Sequence, residues 1–232
     1  MNINMLRYAK LTLFLFVLSY GIIQAQSSTE TRRLGNFNAV KVSTSIKAEL
    51  VQGDENKIEI KATGIDLDKI ESGIADKTLE VKLGRGNFRN HSVNVIITYR
   101  DIQGIEATTS ASVVAKDPIE AAEAYLFAAT SGYIEADITS EVLRIEAATS
   151  SRIVVSGEAD ELTIKAYTNA EVDGKKLDAT DVDVLANTAA SVYFNSTGSI
   201  VGSAATAAKI YYGGNPSSME VKTSTGGSVQ KK

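Results

Sequence analysis

The 232-residue chain has no cysteine, no tryptophan, two prolines and one histidine. Without cysteine there is no disulfide framework and no thiol to carry a lipid anchor, so the fold must be held by burial. With His91 alone, transition-metal ligation and a Ser/His triad are both poorly supported, and neither a metal nor a cofactor is expected. Two prolines beside 17 glycines do not make a disordered stalk. No excess of cations appears either: the net charge is −4 and the charges are interspersed. That balance argues against nucleic acid or an anionic membrane surface as partner.

The chain opens with Arg7 and Lys10, an apolar run from Leu11 to Ile23, then Gln24-Ala25-Gln26. Those 13 residues would rise about 20 Å as a helix, short of a bilayer core of about 30 Å. Residues 1–25 therefore read as a secretory signal cleaved after Ala25, with no membrane span left afterwards. The expected location is the periplasm, the outer-membrane surface or the exterior. Residues 26–36 read as a short linker.

A threonine recurs at 109, 130, 149, 168, 188, 206 and 225, at spacings of 21, 19, 19, 20, 18 and 19 residues. Around it the apolar period is 2, which places alternate residues on one face of a strand. That face holds Leu143, Ile145, Ala147, Thr149, Ser151 and Ile153 in one repeat, and Leu162, Ile164, Ala166, Thr168, Ala170 and Val172 in the next. Val182, Val184, Ala186, Thr188, Ala190 and Val192 continue the pattern. Arg144, Glu146, Lys165 and Asp183 fall on the opposite, solvent face.

Hairpins of this period would need an Asn-Gly or Asp-Gly turn in most repeats, and only Asp173-Gly174 supplies one. Like residues in like columns instead favour in-register stacking every ~4.8 Å. The expected fold is all-β: a right-handed parallel β-helix or solenoid of short, ~19-residue coils with an irregular N-terminal β cap. Small residues beside each threonine imply a sharp bend there. The threonines themselves are expected to face the core and to pass hydroxyl hydrogen bonds from coil to coil.

Residues 37–103 alternate without that column and are assigned to the cap and first coils, with 104–232 as the seven-coil solenoid. Candidate strands are 39–43, 45–52, 57–62, 78–83 and 93–99. Turns are expected at 53–54, 64–73 and 84–90, with a short helical turn near 67–72.

At this point the residues resemble a known family. Phe37-Asn38-Ala39-Val40, Ala48-Glu49-Leu50-Val51-Gln52-Gly53, Lys57-Ile58-Glu59-Ile60, Lys77-Thr78-Leu79-Glu80-Val81 and Tyr212-Gly213-Gly214-Asn215-Pro216 are similar to the head-GIN-domain, auto-transporter adhesin group of Gram-negative envelope proteins. The resemblance spans roughly residues 35–230. Where that family centres its repeats on Gly-Ser-Gly, this chain has Thr-Ser-Ala, Thr-Ser-Gly or Thr-Asn-Ala. The resemblance implies a right-handed β-helix and an adhesive role, and carries no catalytic residue across.

β-Helices also host polysaccharide-cleaving enzymes, which need clustered carboxylates. Asp117, Asp137, Glu158, Asp160, Asp173 and Asp178 lie at different offsets from their threonines and read as solvated turns. The expectation is a non-enzyme. Tyr193 and Tyr211 both fall five residues after their threonines, with Phe194 and Tyr212 one further on. Alternation turns Tyr193 and Tyr211 outward on neighbouring coils, an aromatic strip suited to a glycan, and Phe194 and Tyr212 inward. The basic loop with Lys82, Arg85, Arg89 and His91 is a second candidate surface, for acidic glycans. The other partner expected is another envelope protein, paired at an exposed end of the solenoid.

Overall fold

The computed structural model describes residues 27–232; the expected signal segment and its cleavage point lie outside the described residues. The N-terminal strands are β1 (Ser27–Arg33), β2 (Ala39–Val42), β3 (Lys47–Gln52), β4 (Lys57–Thr63), β5 (Ile70–Ala75), β6 (Thr78–Leu83) and β7 (Ser92–Tyr99). The coils follow as β8 (Gly104–Thr108), β9 (Ser112–Ala115), β10 (Ile119–Ala129), β11 (Tyr133–Ala148), β12 (Arg152–Ala166) and β13 (Glu171–Ala186). The chain finishes with β14 (Ser191–Ser196), β15 (Ser199–Ala204), β16 (Lys209–Gly214), β17 (Ser218–Thr223) and β18 (Ser228–Lys231). Together they form a β-solenoid.

Each coil runs up to a threonine corner, turns, and runs back on a second face. The face after the corner stacks β7, β3, β9, β11, β12, β13, β14, β16 and β18 in parallel register. The face before it stacks β6, β2, β8, β10, β11, β12, β13, β15 and β17. β10 to β13 serve both faces because each bends in mid-strand. Like residues meet across coils, as in Leu143 to Leu162 to Val182 to Ile200 and Ile134 to Ile153 to Val172 to Val192. One buried aliphatic cluster runs from Phe37 to Ile210 through cap and coils alike.

The corners correct one expectation. Thr109, Thr130, Thr149, Thr168, Thr188, Thr206 and Thr225 are all exposed, not in the core. Each has φ between 48 and 54°, and the next residue is also left-handed, with φ of 58 to 77°. Bonds from residue 111 to 108, 132 to 129 and 170 to 167 close the turns at 3.0–3.2 Å. Two positive φ values inside such a turn are the signature of type I′. The tight turns that Asn-Gly would mark are therefore present, built from Thr-Ser, Thr-Asn and Thr-Ala instead. Two residues in this conformation preserve alternation, so Ala147 and Ser151 are buried while Thr149 between them is not.

Coil-to-coil bonding at the corner is also carried by backbone. Ser45 N–H donates to the Thr109 carbonyl, Ser110 to Thr130, Ser131 to Thr149 and Ser150 to Thr168, at 2.9–3.0 Å. Asn169 to Thr188, Ala189 to Thr206 and Ala207 to Thr225 continue the ladder. Small residues flank it because the vertex is narrow: a Cβ added at Gly132 would lie 2.0 Å from the Ala107 carbonyl oxygen.

The ladder begins at Ser45, so the N-terminal half does own one corner. Thr44 and Ser45 have φ 62 and 59°, and β2 and β3 flank them as a coil. That coil stacks between β6/β7 and β8/β9, out of chain order. Beyond it the pairing becomes antiparallel, β1 on β4, β4 on β7 and β5 on β6. Ser27–Arg33, expected within a linker, is thus strand β1. Within the expected turn at 64–73, Leu67–Lys69 is a single 3-10 turn and Ile70 already begins β5.

Candidate functional site

The face after the corner carries the aromatic pair. β14 and β16 are in register, so Tyr193 lies opposite Tyr211 and Phe194 opposite Tyr212. Phe194 is buried and Tyr212 packs partly against the core, as alternation requires. Tyr193 and Tyr211 turn outward and stack, ring centres 4.7 Å apart and planes within 10°. Stacking gives one face of each ring to its neighbour, so the pair does not form the coplanar platform on which a sugar would lie. The Lys175 ammonium sits 4.3 Å from the centre of the Tyr193 ring. Lys232 lies 4.3 Å from Tyr211 and 5.2 Å from Tyr193. Each such cation–π contact stabilises by roughly 0.5–1 kcal/mol at an exposed site.

Charge around the stack is positive. Asp173, one coil from Tyr193, accepts from Lys175 at 2.9 Å and pairs with Arg152 at 3.4 Å. Arg152 also reaches Glu171 at 3.5 Å. With both local carboxylates engaged, Lys209 and Lys232 remain beside Tyr211. The hydrogen bond to Asp173 holds the Lys175 ammonium above its ordinary pKa, and burial pushes the Tyr193 phenol up. The phenol stays neutral and the lysine charged at physiological pH.

Arg85 and Arg89 sit far from this pair. Their loop joins β6 to β7, and five strands separate β7 from β14 on the shared face. Both arginines are exposed. Phe88 and His91 meet edge-on at 6.0 Å, and Lys82 pairs with Glu71 at 3.8 Å and Glu80 at 3.6 Å. The structure therefore does not bring the two sequence-predicted surfaces together.

The acidic residues are more ordered than their offsets imply. Asp117 accepts from the Gln52 N–H and Asp137 from the Ser156 hydroxyl, which are structural duties. Glu158 and Asp178 instead share a column with Thr139, and Asp160 lies at the bend beside them. A register shift after Val154 puts one extra residue into β13, and this shift hid the column in the sequence. Among the described residues no group of three or more Asp, Glu or His is placed to hold a metal ion.

Sequence reasoning missed the concave features altogether. A cleft of about 720 Å³ lies at the seam of cap and coils, over Phe37, Tyr99 and Ile119. Tyr99 is 2 % exposed and its hydroxyl has no partner among the described residues; burial, with Asp117 adding to it, pushes the phenol up to about 12. A groove of about 490 Å³ continues from it along the bend, and Ala121 lines both. No sequence signal marks Tyr99, because it alternates inward like any core residue of β7.

The architecture defines a β-solenoid with exposed rows of side chains at coil spacing. Residues 36–216 match the family described as "Putative auto-transporter adhesin, head GIN domain", and the chain belongs to it. Similar solved structures include a putative adhesin from Bacteroides fragilis, at 16% identity, TM-score 0.81, covering 89% of this chain and 97% of that one. A second, from Parabacteroides merdae, matches at 17% identity and TM-score 0.72 over 90% and 97%. A putative lipid binding protein from Parabacteroides distasonis matches at 15% identity and TM-score 0.64 over 90% and 98%. At such identities these likenesses establish the fold. No curated protein matches the chain. Among the described residues no helix is long and apolar enough to cross a membrane.

Proposed function

We propose that the protein is a non-catalytic recognition module of the cell envelope, exported and adhesive, whose ligand is an anionic glycan. The observation that carries this reading is the Tyr193–Tyr211 stack with Lys175 and Lys232 over its rings. Stacked rings offer edges, and the ammonium groups beside them offer charge, so the surface suits carboxylate, sulfate or phosphate groups along a polymer. A neutral sugar needs an open ring face and finds none on the inner side of the pair. Membership of an adhesin family supports the class, and the solvated, non-converging carboxylates support the absence of catalysis.

The test is a glycan array carrying neutral, carboxylated and sulfated chains, probed with wild type, Tyr193→Ala/Tyr211→Ala and Lys175→Ala/Lys232→Ala. Binding to acidic chains that is lost in both variants, with unaltered thermal melts, is expected. Binding restricted to neutral chains, or retained by both variants, overturns the reading. Vesicles with anionic headgroups form the control arm, since a lipid phosphate shares the same chemistry. An array with no binding at all transfers the role to a protein partner.

A further inference from the structure

The two ends of the solenoid are finished differently. At the cap end the Arg32 guanidinium reaches from β1 to the segment around β5, donating to the carbonyls of Ile70 at 2.8 Å and Leu67 at 3.1 Å and to the Ser72 hydroxyl at 2.9 Å. At the far end no strand among the described residues pairs with the outer edges of β17 and β18. Met219 and Val221 continue the core column of Ile200 and Gly202, and Val229 continues that of Ile210. Ile200 and Ile210 are fully buried, whereas Met219 is 50 % exposed and Val221 and Val229 are only half-buried.

The backbone of this edge is open as well. Ser218 N–H donates to the Gly198 carbonyl and Ser224 N–H to the Ala204 carbonyl, so the even-numbered residues of β17 turn their backbone groups to β15. Alternation turns those of Met219, Val221 and Thr223 to the free side. Gly226 occupies the donor place of the corner ladder, and its N–H has no acceptor among the described residues. Such an edge is a template for a further strand.

The order of side chains selects that strand. On the outward face of β17, Glu220 and Lys222 have Val201 and Ser203 as their neighbours on β15, so neither meets an opposite charge there. Set antiparallel to itself with Val221 on the two-fold axis, β17 brings Glu220 against the partner's Lys222 twice over, Met219 against the partner's Thr223, and the open backbone groups of both strands face to face. Sliding by two residues either way sets Glu220 on Glu220 or Lys222 on Lys222, and sliding by one turns the core face to solvent.

We infer that this end is the interface of a symmetric homodimer, in which β17 pairs antiparallel with β17 of a second copy and the two cores become continuous. The two-fold axis closes the assembly at two chains, the cap end being shut by Arg32. Lys231 and Lys232 place like charges on the neighbouring strand, so the pairing is carried by β17. An edge this short belongs with transient interfaces of less than about 1,200 Å², so the dimer forms reversibly with concentration. The inference does not depend on the glycan reading.

Sedimentation velocity over a concentration series of residues 26–232 checks it. Wild type should pass from monomer to dimer and stop there. Glu220→Lys and Lys222→Glu should each weaken the dimer about tenfold or more, because each sets like charges opposite one another twice. Their urea midpoints should stay unchanged, since both side chains are exposed. Mixing the two variants restores both opposite-charge pairs, so the heterodimer should form as readily as the wild-type dimer, and the exchange Glu220→Lys/Lys222→Glu within one chain should do the same. Wild type that stays monomeric, assembly beyond two chains, or variants that associate alone as well as they do mixed overturns the proposal.

Discussion

The coils and the cap fill one core by opposite means. From β8 onward, chain order and stacking order coincide, all pairing is parallel, and every coil registers on the last through a corner amide. In the cap, β2 and β3 are threaded between later elements and the outermost strands run antiparallel. Yet Ile58, Ile60, Leu79 and Val95 of the cap are as buried as Ile145, Leu162 and Val184 of the coils. Alternation alone thus decides what is buried, whereas corner chemistry decides in what order the strands stack.

The comparison breaks most visibly with proline. Ser150 has φ 58° and its N–H reaches the Thr168 carbonyl, so Ser150→Pro loses both the turn and a rung of the ladder. At least about 3 kcal/mol should be lost, read as a lower urea midpoint for the whole chain. Asp76→Pro, at φ 48° in the β5–β6 hairpin, should instead loosen only the cap edge, seen as faster amide exchange in β5 with a smaller midpoint change. Equal global losses would show that cap and coils are a single cooperative unit.

A milder probe is alkali. The Tyr99 phenol is raised from 10.0 to about 12, so the folded state holds that proton more tightly than the unfolded chain. Its contribution is fully present below pH 10 and is lost as pH rises through about 12. Tyr125, Tyr133 and Tyr193 shift upward too, so the readout is the difference between wild type and Tyr99→Phe. Tyr99→Phe should be more stable at neutral pH and should lose less stability across that alkaline window. Parallel curves for the two proteins would mean that the phenol titrates in the folded protein as it does in the unfolded chain, against its burial.

The smallest effect sharpens the comparison. A β-branched residue at φ 54° is strained by about 1–2 kcal/mol, and glycine returns about 0.5–1 of that as chain entropy. Thr149→Gly should therefore gain about 0.5–1 kcal/mol in a thermal melt. A similar gain from Lys77→Gly, at φ 61° in the cap hairpin, would assign the strain to the turn. A loss at Thr149 alone would assign a stabilising duty to its side chain.

Much of this was legible because solenoid columns repeat. Leu143, Leu162 and Val182 announced themselves by period, and the Tyr193–Tyr211 stack followed from equal offsets to Thr188 and Thr206. The threonine orientation was not legible, since two left-handed residues leave parity intact and a residue at the bend looks like its inward neighbours. The Thr44 corner escaped because β4 to β7 intervene before its partner corner at Thr109. Glu158 and Asp178 were read as unrelated because one inserted residue moved their offsets apart. The ring stacking depends on a rotamer, which no sequence period encodes.

Coil lengths vary from 18 to 21 residues, yet the corner ladder runs unbroken at 2.9–3.0 Å. Every added or missing residue is therefore absorbed away from the threonines, as in the irregularity after Val154 and the split of β14 from β15. The corner works as the fixed spine of a bound book, whose pages can differ in width at the open side. Insertions into this scaffold are expected to be tolerated along the bend and refused at the spine. Binding specificity can thus diversify on the one side without a new fold having to be found.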